Sequence, residues 1–418
     1  MITNNWLSTS AWLKALHYLN ILGFYWIIFG WTFQAIPGRW AYYGGLYVFF
    51  ITWLIEVVVE KRWRSVRWDK RTLYFLLPIL FFSLALLYAP FDTDTNFKWL
   101  LERRYGLAGF GLVGLLGMNR EYSLHRVFCF LIVLAIGAII YIAYRAGGWH
   151  WLMSEHRAEL FSAARVHYVN AHTQFNYLLC LTLIAIWYLL FREQKRPRWW
   201  GIILYVSAAL VILYSLSLSE GRTGFLAGFF LVGLLCVMET WRYRRWMGAV
   251  MMVMALTLFS VVVAHHSRMS KDKLQGEPRL VFWQAAEEPI KARPLLGYGM
   301  SRAQEEFTRV FIEKVPEDYQ NEWRNHIGAI DSHNQYIQTQ LEFGMIGLLL
   351  LLAIYLLPIL IDTQHRLLTV MMIGLSMFQS VFNTFMTGDF CIIFCVLLLI
   401  LLMIDRYNQP IEKEEVCA

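Results

Sequence analysis

The chain has 418 residues, 58% of them apolar and only 16% charged, with a formal net charge of +7. Soluble domains carry about 45–50% apolar and about 25% charged residues, so the composition excludes a string of soluble domains. It indicates one polytopic, all-α integral membrane protein, with residues 1–418 forming a single membrane domain. The positive charge comes largely from short loops on one membrane side and does not indicate nucleic-acid binding.

Twelve apolar stretches approach the ~20 residues with which an α-helix crosses the hydrocarbon core of a bilayer. Transmembrane helices are predicted near 15–36, 40–59, 72–90, 105–118, 127–144, 172–191, 199–218, 224–239, 246–264, 336–360, 367–386 and 390–404. The polar N-terminal sequence MITNNWLSTSAWLK has no small-residue cleavage site. The first stretch is therefore interpreted as a retained span rather than a signal peptide.

The loops between these stretches alternate in charge. Three of them are strongly basic, namely EKRWRSVRWDKR (60–71), REQKRPR (192–198) and WRYRR (241–245). An excess of Lys and Arg marks the cytoplasmic side. An even number of spans then places both termini in the cytoplasm.

One connection is much longer than the others and falls on the outer side of the membrane. It runs from about 265 to 335 and contains two stretches with the pattern of short amphipathic helices, Arg279–Pro294 and Ser301–Lys314. Helices of this kind can lie on a membrane surface, which is the placement expected here. A loop of this length with its own helices is usually functional.

Acidic residues are rare in the predicted spans. Glu56 lies near a cytoplasmic end and Glu342 near an outer end. A charge at mid-bilayer costs about 2.5–3.5 kcal/mol, and transporters place such groups or broken helices near the midplane. The pattern favours chemistry at the outer surface over transport through the core.

Two arginines on the outer side are candidates for binding an anion. Arg222, in SEGRTGFL, is flanked by Gly221 and Gly224, which allow close approach by a ligand or another backbone. Arg279 opens the first loop helix, where backbone N–H groups are available to an anion. The planar fork of arginine suits phosphate oxygens. The alternatives are an arginine snorkelling at a helix end for Arg222 and an ion pair with a nearby glutamate for Arg279.

His333 is the candidate general base. It lies in the polar sequence DSHN, in which Asp331 or Ser332 is predicted to cap the following helix. The positive helix end disfavours an imidazolium, and a general base must be neutral. The alternative is a histidine that only caps the helix or lies at the interface. Gly344, about three turns on, is predicted to share the His333 face of one continuous helix and to admit a neighbouring helix.

Two further polar groups lie at outer span ends. Asp389, in the turn sequence TGDF, is predicted to orient a base or bind an acceptor hydroxyl, or else to be an ordinary turn aspartate. His172, in HYVNAHTQ, is predicted to line a sugar site together with His167 and Asn170. Helix capping explains these three residues about as well.

These residues resemble the motifs of the bacterial O-antigen ligase family, whose membrane domain is shared with O-antigen polymerases. The ligase-like pattern is His, then Asn, Ser or Gln, nine residues, Gly, two residues and a small residue. Here it is formed by His333, Asn334, Gly344 and Gly347. The family's arginine with leucine four residues later matches Arg222 and Leu226. Its second arginine matches Arg279 in PRLVFW, and PLLGYGM (294–300) is also similar.

The resemblance implies an inverting glycosyl transfer on the periplasmic side of the bacterial inner membrane, without metal, nucleotide sugar or other cofactor. It implies a glycan donor on undecaprenyl pyrophosphate and a sugar hydroxyl of lipid A-core as acceptor, with membrane lipids around the protein. His333 would deprotonate the acceptor, and Arg222 and Arg279 would neutralise the departing pyrophosphate. Asn334, Asp389 and His172 would bind substrate.

Two alternatives remain open at the level of sequence. An O-antigen polymerase would extend the lipid-linked glycan, and polymerases share most of these features. A lipid-linked glycan transporter would use His333 only as a gate or a cap. An enzyme predicts a cluster of polar residues at the outer edge, whereas a transporter predicts a polar central cavity.

Overall fold

The computed structural model describes residues 11–34, 39–64, 66, 68–88, 101, 104–118, 122–169, 171–193, 197–219, 221–265, 278–314, 331–362, 364–387 and 389–403. Within these ranges the chain is helical and contains no strand. Helices α1 to α9 are Ala11–Thr32, Arg39–Val59, Lys70–Tyr74, Leu76–Leu87, Tyr105–Leu116, Leu124–Arg145, Trp149–Met153, Arg157–Tyr168 and His172–Phe191. Helices α10 to α17 are Trp199–Leu218, Arg222–Tyr243, Arg245–His265, Pro278–Ala292, Met300–Lys314, Gln335–Ile361, Arg366–Phe382 and Asp389–Met403.

Each predicted span coincides with a helix, the third with α3 and α4 together. Among the described residues, 7 helices are long and apolar enough to cross a membrane: Tyr42–Val59, Lys70–Leu87, Leu124–Arg145, His172–Phe191, Trp199–Leu218, Thr223–Tyr243 and Gln335–Ile361. Four other apolar helices are shorter: Tyr105–Leu116, Arg245–Val261, Arg366–Phe382 and Asp389–Met403. The all-helical membrane architecture is therefore confirmed, whereas the number of twelve spans stays a prediction.

Helices α9 and α17 form the centre of the protein, and nearly all their side chains are buried. A helix that is apolar on all sides is expected in such an interior position. Helix α9 packs against α6, α10, α11 and α16, and α17 packs against α5 and α1. The first residues of α9 and α17, His172 and Asp389, lie at the same end of the central helices, where the ring centroids of Tyr177 and Phe390 are 5.9 Å apart.

Two short helices occupy a connection in which the sequence predicted none. Helices α7 and α8 lie between α6 and α9. Phe161 of α8 is buried, stacks on Trp151 with ring centroids 5.6 Å apart, and lies 6.3 Å from Phe175 of α9. Helix α8 is too polar to be predicted as an apolar span, but its aromatic contacts attach it to the start of α9.

Both acids noted in the spans are buried in ion pairs. Glu56 lies 2.8 Å from His17 Nδ1 and 2.8 Å from Arg62 Nη2. Glu342 accepts two hydrogen bonds from Arg104 Nη2, at 2.9 and 2.6 Å. Removing a carboxylate from water is unfavourable unless a partner compensates for its charge. Sequence reasoning located the two acids but identified none of their three partners.

The two loop helices are present, but their apolar faces are not exposed to a membrane surface. Phe282 of α13 and Phe307 and Phe311 of α14 are buried in a small core that also contains Leu341 of α15. The ring centroids of Phe282 and Phe311 lie 5.4 Å apart. The expected membrane-surface placement is therefore wrong for these faces, because they are buried against each other and against the helix that follows His333.

The predicted continuous helix from His333 past Gly344 is also wrong. Gly344 has φ +61° and ψ −155°, which interrupts α15. The Pro294–Gly299 segment enters the break and supplies backbone partners there. Tyr298 N and Gly299 N donate to the carbonyls of Leu341 and Glu342, at 2.9 and 2.8 Å, and Met345 N donates to the carbonyl of Pro294 at 2.8 Å.

This arrangement explains why position 344 is glycine. A Cβ added to Gly344 would lie 2.3 Å from both the carbonyl carbon and the oxygen of Leu295, and its positive φ disfavours other residues. Across the break, Gly297 has φ +69°, and an added Cβ would lie 2.7 Å from Gly344 N. The glycine therefore admits the backbone of the Pro294–Gly299 segment, not a neighbouring helix as the sequence suggested.

Candidate functional site

His333 occupies a strained turn immediately before α15. Its φ is +45°, in the left-handed region, where a residue other than glycine costs about 1–3 kcal/mol unless its surroundings hold it. Asn334 Oδ1 accepts from Tyr336 N at 2.9 Å and Ile337 N at 3.1 Å, so Asn334 caps the helix. The prediction that Asp331 or Ser332 provides the cap is wrong, and Asn334, predicted to bind substrate, has this structural role.

Asp331 is instead the partner of the histidine. Its Oδ1 lies 2.9 Å from His333 Nδ1 and accepts from His333 N at 2.8 Å. Its Oδ2 accepts from Thr384 Oγ1 at 2.8 Å. Burial acts to raise the pKa of Asp331, but the hydrogen bonds and charge of His333 and the Thr384 hydroxyl outweigh it and lower that pKa. Asp331 is therefore a carboxylate at neutral pH.

The charge of Asp331 decides which imidazole nitrogen can act as a base. A carboxylate only accepts hydrogen bonds, so Nδ1 of His333 must carry the hydrogen between them. In the neutral ring, the lone pair then resides on Nε2. The His333 side chain is 41% exposed, which is enough for an incoming hydroxyl to reach it. Such a carboxylate–imidazole pair orients the ring and stabilises the imidazolium formed when Nε2 takes a proton.

Helix α13 brings Arg279 to the same region. Phe282, one helical turn after Arg279, lies with its ring centroid 5.4 Å from that of His333. The guanidinium carbon of Arg279 lies 5.6 Å from the ring centroid of Phe382, at the end of α16. Thr384, two residues beyond Phe382, contacts Asp331. The turn after α16 therefore connects the predicted anion-binding arginine to the predicted base.

Arg222 begins α11, and the start of this helix is packed against the start of α9. A Cβ added to Gly221 would lie 2.4 Å from Asn176 Nδ2 and 3.1 Å from His172 Cδ2, and one added to Gly224 would lie 2.3 Å from Asn176 Cβ. The two glycines flanking Arg222 therefore permit a close approach, as expected. The structure places His172 beside the first turn of the Arg222 helix.

The end of α16 connects these two groups of residues. Gln379 Nε2 donates to the carbonyl of Thr173 at 3.5 Å, beside His172. Three residues later, about 4.5 Å along a helix, Phe382 contacts Arg279. The end of α16 therefore contacts α9 next to His172, and it also contacts Arg279 of α13. The contact with α9 lies close to the start of the Arg222 helix. Asn170, which was predicted to line a sugar site together with His172 and His167, lies outside the described residues.

Asp389 has a different environment from His333. It begins α17 and lies near Tyr42 of α2. The turn before it does reach the histidine region, through Thr384 and through Met386, whose backbone nitrogen donates to Gln335 Oε1 at 2.6 Å. The residue that contacts the base is Asp331, and Thr384, which no pattern singled out, holds Asp331 in turn. The role of Asp389 stays a prediction.

The part of the chain that the structure describes contains no group of three or more His, Cys, Asp or Glu side chains that could hold a metal ion. The chemistry its residues offer is proton abstraction by a carboxylate-oriented imidazole. Arg279 lies on the neighbouring helix, and Arg222 begins another helix at this end of the protein. This arrangement suits transfer to a hydroxyl acceptor with an anionic leaving group.

Comparison with known proteins tests the family resemblance. Residues 207–352 match the family model described as O-Antigen ligase, and this range contains Arg222, Arg279, His333 and Gly344. Two relatives are named "Putative polysaccharide ligase". RC0486 of Rickettsia conorii is 27% identical over 186 residues, which cover 42% of each chain. RP358 of Rickettsia prowazekii is 28% identical over 167 residues, which cover 37% of this chain and 38% of the relative. Each match spans less than half of the relative, and the resemblance inferred from the motifs is confirmed.

Proposed function

We propose that this protein is an O-antigen ligase of the bacterial inner membrane. It moves a glycan from undecaprenyl pyrophosphate to a sugar hydroxyl of lipid A-core on the periplasmic side. The observation that carries the proposal is the imidazole of His333, 41% exposed and held at Nδ1 by Asp331. The ring of Phe282, on the helix that bears Arg279, lies 5.4 Å from it. The ligase family match and the resemblance of the motifs support the substrate class.

The proposed reaction is a single displacement. His333 Nε2 takes the proton of the acceptor hydroxyl as its oxygen bonds to the anomeric carbon of the donor sugar. The bond from that carbon to the pyrophosphate oxygen breaks, and its electron pair leaves with the pyrophosphate. Attack opposite the leaving group inverts the anomeric configuration. The proton on His333 is afterwards released to solvent or to the leaving group.

The two arginines bind the pyrophosphate in this proposal. Charge-assisted hydrogen bonds of this kind contribute about 1.5–3 kcal/mol each. Arg279 is positioned by its contact with Phe382, and the first turn of the Arg222 helix presents its backbone N–H groups to an anion in this proposal. His172, Asp389 and the amide of Asn334 are proposed to bind the sugars. The proposed topology has both termini in the cytoplasm.

Reconstitution tests the function directly. Purified protein in vesicles would receive lipid-linked glycan with either lipid A-core or a second lipid-linked glycan, and products would be identified by mass. A glycan on lipid A-core, formed even in excess EDTA, is the expected product. Extension of the second lipid-linked glycan would mean a polymerase, and donor movement across the bilayer without a covalent product would mean a transporter. His333→Ala should form the product about 10²–10⁴-fold more slowly, whereas the control His125→Ala, at an exposed histidine of α6, should form it at the wild-type rate.

A further inference from the structure

We infer that Gln338, oriented by the Glu342–Arg104 ion pair, is a positioning residue that holds the backbone of His333 for the reaction. The inference rests on the proposed function, because it concerns the same base. It assigns a task to a buried polar network that the proposed reaction does not otherwise use. None of its three members was identified from the sequence as a functional residue.

The network begins at Glu342, which is 1% exposed, and at Arg104, which is fully buried. Arg104 Nη2 donates to both oxygens of Glu342, at 2.9 and 2.6 Å. Gln338, one turn before Glu342, donates from Nε2 to Glu342 Oε1 at 2.9 Å. The carboxylate can only accept, so it determines which way the Gln338 amide faces.

This orientation directs the amide oxygen of Gln338 to the residue before the base. Gln338 Oε1 lies 3.2 Å from Ser332 Oγ and 3.4 Å from Ser332 N. Ser332 is fully buried, and its hydroxyl also lies 2.9 Å from the carbonyl of Asn334. With the amide reversed, the backbone N–H of Ser332 would face an NH₂ group that cannot accept its hydrogen. The network therefore supports the peptide on the N-terminal side of His333.

His333 needs such support because its backbone is in the left-handed region. Asn334 holds the C-terminal side of the turn by capping α15, and Ser332 with Gln338 holds the other side. If this side relaxed, the imidazole would move relative to Asp331 and Phe282. Displacing a catalytic group by ~1 Å can cost about 10²-fold in rate.

The ion pair also joins the elements around the site. Arg104 immediately precedes α5 and contacts Met300 Sδ at the start of α14. The carbonyl of Glu342 accepts from Gly299 N, in the segment that enters the helix break. A pair with these partners fixes α5, α14 and α15 relative to one another. Buried ion pairs are better suited to such specificity than to net stability.

The test uses Gln338→Met, which removes all three side-chain contacts of Gln338 at similar volume, and Gln340→Met as the matched control. Gln340 is on the same helix, about 200° around it. Single-turnover transfer by Gln338→Met should fall about 10- to 10²-fold, with donor affinity and melting temperature unchanged. Gln340→Met should transfer like the wild type. Equal transfer by both variants, or a loss of donor affinity that accounts for the whole effect, would overturn the inference.

A double-mutant cycle with Ser332→Ala covers the case in which Gln338→Met folds poorly. Ser332→Ala alone should also slow transfer, and the double variant should be no slower than the more affected single variant. Additive effects would mean that the two side chains act independently and would overturn the inference.

His333→Ala in the same assay distinguishes failure of the proposed function from failure of the positioning role of Gln338. Wild-type transfer by His333→Ala would refute the proposed base, whereas an inactive His333→Ala beside a fully active Gln338→Met would refute only the positioning role.

Discussion

Asp331 Oδ1 lies 2.9 Å from His333 Nδ1 and 2.8 Å from the backbone nitrogen of the same residue. One oxygen thus orients both the imidazole ring and the strained peptide that bears it. The other oxygen is held by Thr384, from the turn after α16. The Asp331–His333 pair therefore links the base to the turn after α16. Substitution of Asp331 measures what the pair contributes to the reaction rate and to the stability of the fold.

Asp331→Asn should slow the chemical step, because an amide can still meet Nδ1 but cannot stabilise an imidazolium by charge. We expect a smaller loss than the about 10²–10⁴-fold that removal of a general base causes. Single-turnover transfer measures it. The control is Asp362→Asn, since Asp362 makes similar contacts at the other end of α15, to His365 N and Thr369 Oγ1. Equal rates for the two variants would remove Asp331 from the mechanism.

The lowered pKa of Asp331 predicts how its contribution to stability depends on pH. A carboxyl whose pKa is lower in the folded state stabilises the fold above its unfolded pKa, and this stabilisation is lost as pH falls through the folded pKa. The melting temperature of the wild type should therefore exceed that of Asp331→Asn by a constant interval from neutral to mildly acid pH. The interval should narrow on further acidification. A widening interval would mean that the fold favours the protonated carboxyl.

Removal of the base and removal of an arginine should have different effects. His333→Ala should slow transfer by about 10²–10⁴-fold while retaining donor affinity, because the imidazole acts on the acceptor. Arg222→Ala and Arg279→Ala should weaken both donor binding and transfer, and lysine should restore only part of each, since it lacks the planar fork. Arg302→Ala, at an exposed position of α14, controls for the change in net charge. Loss of donor binding in His333→Ala, with normal binding in both arginine variants, would reverse the assigned roles.

Gly344→Ala should disrupt the site, because the added Cβ would meet the Leu295 carbonyl at a positive φ. The comparison is Gly374→Ala in α16, where an added Cβ meets nothing within 4 Å. Glycine in a helix interior is less stable than alanine by roughly 0.5–1 kcal/mol, so Gly374→Ala should be neutral or slightly stabilising. Melting temperature and transfer measure both. A tolerated alanine at Gly344 would show that the Pro294–Gly299 segment need not enter the helix.

The sidedness of the site remains a prediction and can be tested by cysteine labelling. In a cysteine-free background, a cysteine at Arg302 should react with an impermeant maleimide applied from the periplasm, and one at Arg64 should not. Arg64 lies in a basic loop that is predicted to be cytoplasmic. Both positions are exposed, so a difference in labelling reports access rather than burial. Labelling of Arg64 from outside would refute the topology and, with it, the periplasmic placement of Arg222, Arg279, His333 and Asp389.

The sequence by itself determined where helices occur and which residues could be reactive. Apolar runs of near-membrane length specify helices because the unpaired backbone is unfavourable in lipid, and all the predicted spans coincide with helices. The amphipathic patterns located α13 and α14, because the helical spacing of apolar residues is also a local property of the sequence. His333 and the arginines were recognisable because motif spacing and flanking glycines are local features.

Only the tertiary structure decided how these residues are held. Arg104 and Glu342 are 238 positions apart in the chain, and Thr384 is 53 positions from Asp331. Local periodicity contains no information on such pairs. The break at Gly344 was missed because a glycine in an apolar run is compatible with a continuous helix. Its conformation became clear only when the Pro294–Gly299 backbone was found in the space that a side chain would occupy.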